Sequence, residues 1–214
     1  MSTAPTGSFF WRVAVFGWVV GAAVGIFALS DYSATQGMPA RADSTWPDPP
    51  GIDFPEHGGC VLMFAHPRCP CTRASLAELD NLMRDLESKA TVVFWQPPAG
   101  SSEWCDSDLI QFARRSTRLQ VFLDEGGQVT SLFGGRTSGT CLVFDRTGTL
   151  RFNGGVTAGR GHRGKTAAHQ QIAAILRKDD SSVGPSSQQS FPVFGCAIQP
   201  WKDDDAEEIR SAGS

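Results

Sequence analysis

The chain has 214 residues, of which 41% are hydrophobic and 19% are charged, and its formal net charge is -3. This length is enough for one domain with its own core. The normal apolar content excludes a disordered chain, and the absence of a three-residue glycine period excludes a collagen-like chain. The slight acidity argues against a nucleic-acid binder, because such proteins usually carry a strong basic excess. The six cysteines are too few for a disulfide-rich scaffold of this size.

The N-terminal region contains an uncharged apolar run, Val13–Leu29, directly after Arg12. It predicts a single transmembrane anchor over residues 13–30, since a helix of this length just crosses the hydrocarbon layer. Positive charge precedes the run, so residues 1–12 are expected in the cytoplasm and the rest of the chain on the extracytoplasmic, periplasmic side. A cleavable signal peptide is the alternative, because Ala40-Arg41-Ala42 has the form of a cleavage site. Both interpretations export the chain that follows.

The rest of the chain divides by composition. Residues 31–57 are rich in proline and predict a linker. Over residues 58–178, short apolar runs alternate with helical periodicity, which is typical of an α/β domain. The predicted order is β-α-β-α-β, then a β-hairpin and a last helix, with elements at Cys60–His66, Thr72–Lys89, Thr91–Gln96, Glu103–Arg115, Leu119–Leu123, Thr140–Asp145, Leu150–Asn153 and Lys165–Arg177. Residues 179–214 predict a polar, acidic tail, interrupted by an apolar island at 191–198.

A Cys-Pro-Cys motif, Cys69-Pro70-Cys71, lies where the first predicted strand ends and a helix begins. Free N–H groups and the positive end of the helix dipole lower the pKa of a cysteine at such a position. His66, Arg68 and Arg73 flank the motif and are expected to assist. The motif therefore predicts thiol–disulfide exchange, with Cys69 as the more exposed attacking thiolate and Cys71 as its resolving partner.

The alternative to exchange is that both cysteines of the motif form inert bridges to distant cysteines. Cys60 and Cys141 lie within predicted strands, and Cys105 lies in a loop or first turn, all of which favour structural roles. Cys196 belongs to the apolar island and is a candidate resolving thiol.

A β-α-β-α-β-β-α order with a cysteine motif between the first strand and helix resembles the thioredoxin fold, a central mixed sheet flanked by helices. Phrases within residues 64–75, 154–164 and 192–196 resemble a bacterial group of membrane-anchored, thioredoxin-like proteins labelled RedB-like. The resemblance covers about residues 58–198. It implies redox activity through protein thiol and disulfide partners, for which no diffusible cofactor is needed.

The chain departs from thioredoxins at three points. It places one residue rather than two between the cysteines, and Pro67-Arg68 stands where thioredoxins usually carry a tryptophan. Ser138-Gly139 stands where they carry a cis-proline ahead of a strand.

The segment Gly159–Thr166 matches the phosphate-loop pattern G-x-x-x-x-G-K-[ST]. We nevertheless expect no nucleotide there. The short remainder of the chain has no apolar strand ending in an Asp that would hold magnesium, and export places the loop where nucleoside triphosphate is scarce. The segment is read as a basic, glycine-rich turn before the last helix, in which His169 is expected to face solvent.

Copper binding is the alternative function, because thiolates and imidazole select copper(I). The candidate ligand set is Cys69, Cys71 and His162. Exported copper-delivery proteins of the Sco type resemble this arrangement, although their cysteines are spaced by three residues. A third interpretation is a non-catalytic thioredoxin-like binding module at the membrane.

Overall fold

The computed structural model describes residues 6–56, 58–98, 102–177 and 189–198. The chain divides into two compact units, with the boundary between Thr35 and Gln36. The first unit contains helix α1, Thr6–Ala34, and the second contains all the other elements.

Helix α1 is long and apolar over its segment Phe9–Ala34, where the mean hydropathy reaches 2.2. Among the described residues it is the one helix with the length and composition to cross a membrane. It extends beyond the predicted 13–30 at both ends. At its C-terminal end the hydroxyls of Ser33 and Thr35 donate to backbone carbonyls one turn earlier, which prolongs the helix past the apolar run.

The second unit is built on a mixed sheet in the order β3-β2-β1-β4-β5-β6. The strands are β1 Cys60–Ala65, β2 Ala90–Gln96, β3 Leu119–Glu125, β4 Thr140–Phe144, β5 Leu150–Gly154 and β6 Gln189–Ser190. β1, β2 and β3 run parallel, β4 is antiparallel to β1, and β5 is antiparallel to β4. All residues of β1 and β4 are buried, which explains their continuous apolar sequence.

The helices of this unit are α2 Thr72–Asp85, α3 Ser102–Cys105, α4 Asp108–Arg115, α5 Gln128–Leu132 and α6 Ala167–Arg177. The single helix predicted over 103–115 is two helices, because the Ser107 hydroxyl accepts from the N–H of Ile110 and starts a new helix. Helix α5 was not predicted. It is held by Asp124, whose carboxylate accepts from the N–H groups of Val129 and Thr130.

Two apolar clusters cover the two faces of the sheet, since neighbouring residues of β1 belong to different clusters. One contains Met63 with side chains of α2, α4 and α6. The other contains Phe64 with Phe133 and Phe144. The predicted architecture, a mixed sheet flanked by helices and preceded by an apolar N-terminal helix, is confirmed.

The compact unit begins at Gln36 rather than at residue 58, so much of the predicted linker lies against the domain. Trp46 makes edge contacts with Phe54, Phe133 and Phe144 at centroid distances of 5.2–5.3 Å. The N–H of Leu150 donates to the Ser44 carbonyl at 2.8 Å. The proline content did not reveal this packing, because a few large apolar side chains between the prolines provide it.

Candidate functional site

The Cys-Pro-Cys motif lies at the carboxyl end of β1, in the turns that lead into α2. The N–H of Cys69 donates to the His66 carbonyl, and the N–H of Thr72 donates to the Cys69 carbonyl, both at 3.1 Å. Cys71 is the N-cap residue of α2. Two consecutive tight turns thus place Cys69 just before the helix, as the sequence predicted.

The exposure of the two motif cysteines is the reverse of the prediction. Cys69 is fully buried, at 0% exposure, whereas Cys71 is half-buried and Pro70 is exposed. The expectation that Cys69 is the more exposed thiol was therefore wrong. The reason is long-range: a distant segment of the chain covers Cys69.

That segment is the apolar island near the C-terminus, which brings Cys196 onto Cys69. The two Sγ atoms are 3.1 Å apart, and the N–H of Cys196 points at the Cys69 sulfur at 3.4 Å. Val193, Phe194 and Ile198 of the island are buried in the domain. Cys69, just before helix α2, and Cys196, in the apolar island, are therefore in contact although 127 positions separate them in the sequence.

Backbone contacts with the loop before β4 hold the island in place. The N–H of Ser138 donates to the Cys196 carbonyl at 2.9 Å, and the N–H of Ile198 donates to the Arg136 carbonyl at 3.0 Å. Gly195 packs so closely on this loop that a Cβ there would overlap the carbonyl oxygen of Ser138. Only a glycine permits this approach, which explains the Phe-Gly-Cys sequence of the island.

The three thiols of the site differ in their pKa. Burial alone would raise the pKa of Cys69, but hydrogen bonds from Thr72 and Cys196 outweigh burial and lower it below its ordinary value. Burial raises the pKa of Cys196 to about 12, assisted by its hydrogen bond to Cys69. Burial and the neighbouring charge of Cys69 raise the pKa of Cys71. Of the three, Cys69 is therefore the thiol whose thiolate form the site favours.

A chain of hydrogen bonds ends at the Cys69 sulfur. Thr72 donates to this sulfur, and its hydroxyl lies 2.5 Å from the hydroxyl of Ser138. Ser138 in turn accepts from the N–H of His66 at 2.8 Å. Because Thr72 uses its proton on the sulfur, Ser138 is left to donate to Thr72, and every donor in the chain points toward the thiolate.

Arg160 connects the motif to the island. Its guanidinium donates to the Gly195 carbonyl at 2.8 Å and also hydrogen-bonds to Cys71. The positive charge lowers the pKa of Cys71 in part, but burial and the charge of Cys69 outweigh it. Arg160 therefore acts on Cys71 and on the position of the island that carries Cys196.

The three cationic candidates beside the motif have other contacts. Arg68 lies over the ring of Trp104 at 4.5 Å. Arg73 lies 4.0 Å from the Asp108 carboxylate and over the ring of Phe112. Burial, followed by the charge of Arg68, lowers the pKa of His66, so this imidazole is neutral near pH 7. The groups that stabilise the thiolate are thus Thr72 and Cys196.

The remaining three cysteines lie in strands or in a short helix. Cys60 and Cys141 are buried in strands, and burial raises the pKa of both, in Cys60 to about 12. Cys105 is half-buried, and its thiol donates to the side-chain carbonyl of Gln96 at 3.3 Å.

The structure does not bring His162 to the cysteines. Its ring is exposed, with Nδ1 3.2 Å from the Arg160 carbonyl oxygen. Within the described ranges, no group of three or more His, Cys, Asp or Glu side chains is arranged to hold a metal ion. The ligand set Cys69, Cys71 and His162 is therefore not assembled in this structure.

The loop Gly159–Thr166 uses its cationic side chains for contacts within the protein. Lys165 lies 3.1 Å from the Asp85 carboxylate, and Arg163 lies 3.6 Å from Glu78. His169, which was expected to face solvent, is buried, with Nε2 3.5 Å from the Glu78 carboxylate. That expectation was wrong, because α6 packs against α2 on the side where His169 lies.

Sequence reasoning missed three residues of the site: Thr72, Ser138 and Arg160. Thr72 stands at the first position of α2, and its place beside the motif was a usable signal. Ser138 and Arg160 meet the motif only through the tertiary fold, and no local pattern marks them.

No protein-family model matches the chain, and no curated protein matches it. Solved structures do. An uncharacterized conserved protein from Geobacillus kaustophilus is 19% identical, with a TM-score of 0.55 over 79% of this chain and 92% of that one. A hypothetical protein from Sinorhizobium meliloti 1021 is also 19% identical, with a TM-score of 0.52 over 78% of this chain and 94% of that one.

A further similar structure is the exposed lipoprotein thioredoxin of Streptococcus pneumoniae, at 20% identity and a TM-score of 0.39 over 57% of this chain and 85% of that one. The fold follows from the order and direction of the strands and from the helices that connect them. Parallel β1 and β2 are joined through α2, the antiparallel β4–β5 pair is followed by α6, and the cysteine motif lies between β1 and α2. The chain therefore has the thioredoxin-like fold that its element order predicted.

Proposed function

We propose that the protein is a membrane-anchored thiol–disulfide oxidoreductase in which Cys69 is the reactive thiolate. One observation carries this proposal: a buried cysteine at the start of α2 has a lowered pKa and lies 3.1 Å from a second thiol. A stabilised thiolate is a good leaving group in disulfide exchange, and a thiol at this distance is ready to form the bond.

Exchange through sulfur needs no diffusible cofactor. Two thiols of the protein become one disulfide, while a partner disulfide takes up two electrons and two protons and becomes two thiols. The partners are therefore proteins with exposed thiols or disulfides. The resemblance of residues 58–198 to the RedB-like group supports the same chemistry.

Helix α1 supports the location. Its length and hydropathy are sufficient to cross a membrane, and Arg12 precedes its apolar run. Since loops with positive charge stay in the cytoplasm, we place the domain on the extracytoplasmic side, where disulfides persist.

The test is insulin reduction by the full-length protein in detergent, with a dithiol as the electron source. Wild type should accelerate the reduction, and Cys69→Ser should lower the rate to that of the dithiol alone. Cys105→Ser is the matched control, because it removes a half-buried thiol outside the site and should retain the wild-type rate.

Two results would contradict the proposal. A Cys69→Ser variant as active as wild type would remove the thiolate from the mechanism and favour the non-catalytic binding module. About one copper per chain in the purified, reduced protein, lost in the Cys69→Ser variant, would favour the copper function instead.

A further inference from the structure

We infer that the oxidised protein pairs Cys69 with Cys196 and not with Cys71, and that partner proteins exchange with this disulfide at the sulfur of Cys196. The inference rests on the proposed function and specifies its disulfide. It gives different roles to the two cysteines of the motif, although they are only two positions apart in the sequence.

The first argument is geometric. The Sγ atoms of Cys69 and Cys196 are 3.1 Å apart, so a shift of about 1 Å brings them to the length of a disulfide. Both residues are fixed by backbone hydrogen bonds, Cys69 to His66 and Cys196 to Ser138. The two thiols are therefore held in place for bond formation by separate parts of the chain.

The other thiol beside Cys69 is that of Cys71, and the two side chains hydrogen-bond to each other. Cys71 has helical backbone angles, φ -66° and ψ -29°, and its carbonyl accepts from the N–H of Ala74. Cys69, Pro70 and Cys71 lie in the tight turn that the N–H of Thr72 closes on the Cys69 carbonyl. A Cys69–Cys71 disulfide would have to close a small ring across this turn, whereas a Cys69–Cys196 disulfide leaves the start of α2 intact.

The third argument is accessibility. Cys69 is fully buried, so an incoming thiolate cannot reach its sulfur, whereas Cys196 is half-buried. Attack on Cys196 releases Cys69, and the thiol of lower pKa is the better leaving group. Attack at the more accessible sulfur, that of Cys196, is therefore also the attack that releases the better leaving group, Cys69.

The reaction balances without a further reactant. A partner thiolate attacks the Cys196 sulfur, the Cys69–Cys196 bond breaks, and Cys69 leaves as the thiolate with the electron pair. The second thiol of the partner then attacks the mixed disulfide and releases Cys196, which takes up a proton. The partner dithiol has become a disulfide, the protein disulfide has become a thiolate and a thiol, and the reverse sequence reduces a partner disulfide.

Arg160 is a positioning residue in this scheme. It donates to the carbonyl of Gly195 and hydrogen-bonds to Cys71, which ties the island to the motif. In the oxidised protein Cys71 remains a free thiol beside the disulfide.

Disulfide mapping tests the pairing. The full-length protein in detergent is oxidised with glutathione disulfide, its free thiols are blocked, and it is digested with trypsin at mildly acidic pH. Trypsin releases the motif as peptide 69–73 and Cys196 in peptide 179–202. We expect the two peptides to be linked in wild type and in Cys71→Ser, and not in Cys69→Ser.

Two mapping results would overturn the inference. One is an internal Cys69–Cys71 bond in peptide 69–73 with Cys196 blocked as a free thiol. The other is a link that survives in Cys69→Ser and is lost in Cys71→Ser, which would pair Cys71 with Cys196.

Insulin reduction separates this inference from the proposed function. Cys196→Ser should lose about tenfold or more of the exchange rate, and Cys71→Ser should lose less, although both remove a half-buried thiol. If wild type is active and Cys196→Ser equals it, the inference fails and the proposed function stands. If the linked peptides form but wild type has no activity, the proposed function fails and the pairing stands.

A second variant keeps the test valid if Cys196→Ser folds poorly. Gly195→Ala retains all three thiols, but its methyl group overlaps the Ser138 carbonyl and displaces Cys196. We expect a several-fold lower yield of linked peptides. Pro192→Ala, which trims an exposed ring of the same segment, is the control and should give the wild-type yield.

Discussion

Burial and hydrogen bonding act in opposite directions on Cys69. Burial disfavours a thiolate because water no longer solvates the charge. The hydrogen bonds from Thr72 and Cys196 more than compensate, and the pKa falls below its ordinary value. The cationic side chains near the motif contact Trp104, Asp108 and Cys71. The causes that lower the pKa of Cys69 are thus hydrogen bonds from two uncharged residues, Thr72 and Cys196.

Thr72→Val tests this dependence. The variant keeps the shape of the side chain and removes the hydroxyl that donates to the Cys69 sulfur. We expect the pKa of Cys69 to rise and the exchange rate at neutral pH to fall by about tenfold or more, the effect of losing one hydrogen bond to a charged group. Ultraviolet thiolate absorbance followed against pH measures the first effect, and insulin reduction measures the second.

The control for this variant is Thr91→Val, which makes the same chemical change in β2, outside the site. It should leave both the thiolate titration and the exchange rate as in wild type. An unchanged titration in Thr72→Val would contradict the role of the Thr72 hydroxyl.

At the scale of elements, sequence patterns predicted the strands and helices that local interactions determine. β1 is a short apolar run stopped by Pro67, and α2 carries Leu76, Leu79 and Met83 at helical spacing, so both were visible in the sequence. Helix α5 was not visible, because it depends on a single buried carboxylate, that of Asp124.

Of the residues of the site, the sequence identified the cysteines. The position of Cys69 between a strand and a helix follows from sequence, and so did the candidacy of Cys196. The burial of Cys69 could not be predicted from the sequence, because residues more than a hundred positions away cover this side chain. Gly195 allows these residues of the island to approach Ser138. Contacts of this kind leave no periodic signal in the chain.

The pair α2 and α6 is joined by a buried histidine. The Nδ1 atom of His169 accepts from the N–H of Thr166 at 3.1 Å, and its Nε2 atom faces the Glu78 carboxylate at 3.5 Å. Burial lowers the pKa of His169; the charge of Glu78 raises it and that of Lys165 lowers it, and the net shift is downward. The folded protein therefore prefers the neutral imidazole.

This preference makes stability depend on pH. Above the pKa of the unfolded histidine, about 6.5, both states are neutral and His169 adds no pH dependence. As the pH falls below that value, the unfolded chain takes up a proton that the folded protein resists, so stability decreases. His169→Gln should therefore show a smaller decrease in Tm than wild type between about pH 7 and pH 5.

Part of the decrease should persist in this variant, because burial also lowers the pKa of His66. His162→Gln, which removes an exposed imidazole, is the control and should keep the wild-type decrease. Equal pH dependence in His169→Gln and wild type would show that the α2–α6 contact does not resist protonation. Thermal melts followed by circular dichroism supply the measurement.

At the scale of the whole molecule, the two units have different properties. One helix has the properties of a membrane anchor, and one compact domain, beginning at Gln36, holds the three thiols. All six cysteines follow α1 in the sequence, so if α1 is the membrane anchor that we propose, labelling of any of them reports on which side of the membrane the domain lies. A membrane-impermeant maleimide should modify the protein in cells from which the outer envelope layers have been removed, while cytosolic thiols stay unmodified.

We expect the charge before the helix to set this orientation, because positively charged segments resist translocation. Arg12→Glu removes the side-chain cation on that side, so we expect a smaller labelled fraction than in wild type. Arg41→Glu makes the same charge change after the helix and removes no cytoplasmic cation, so it should label as wild type does. Equal labelling in Arg12→Glu and wild type would assign the orientation to the apolar run alone. Labelling only after the cells are permeabilised would place the thiols in the cytoplasm, a reducing compartment in which a Cys69–Cys196 disulfide would not persist.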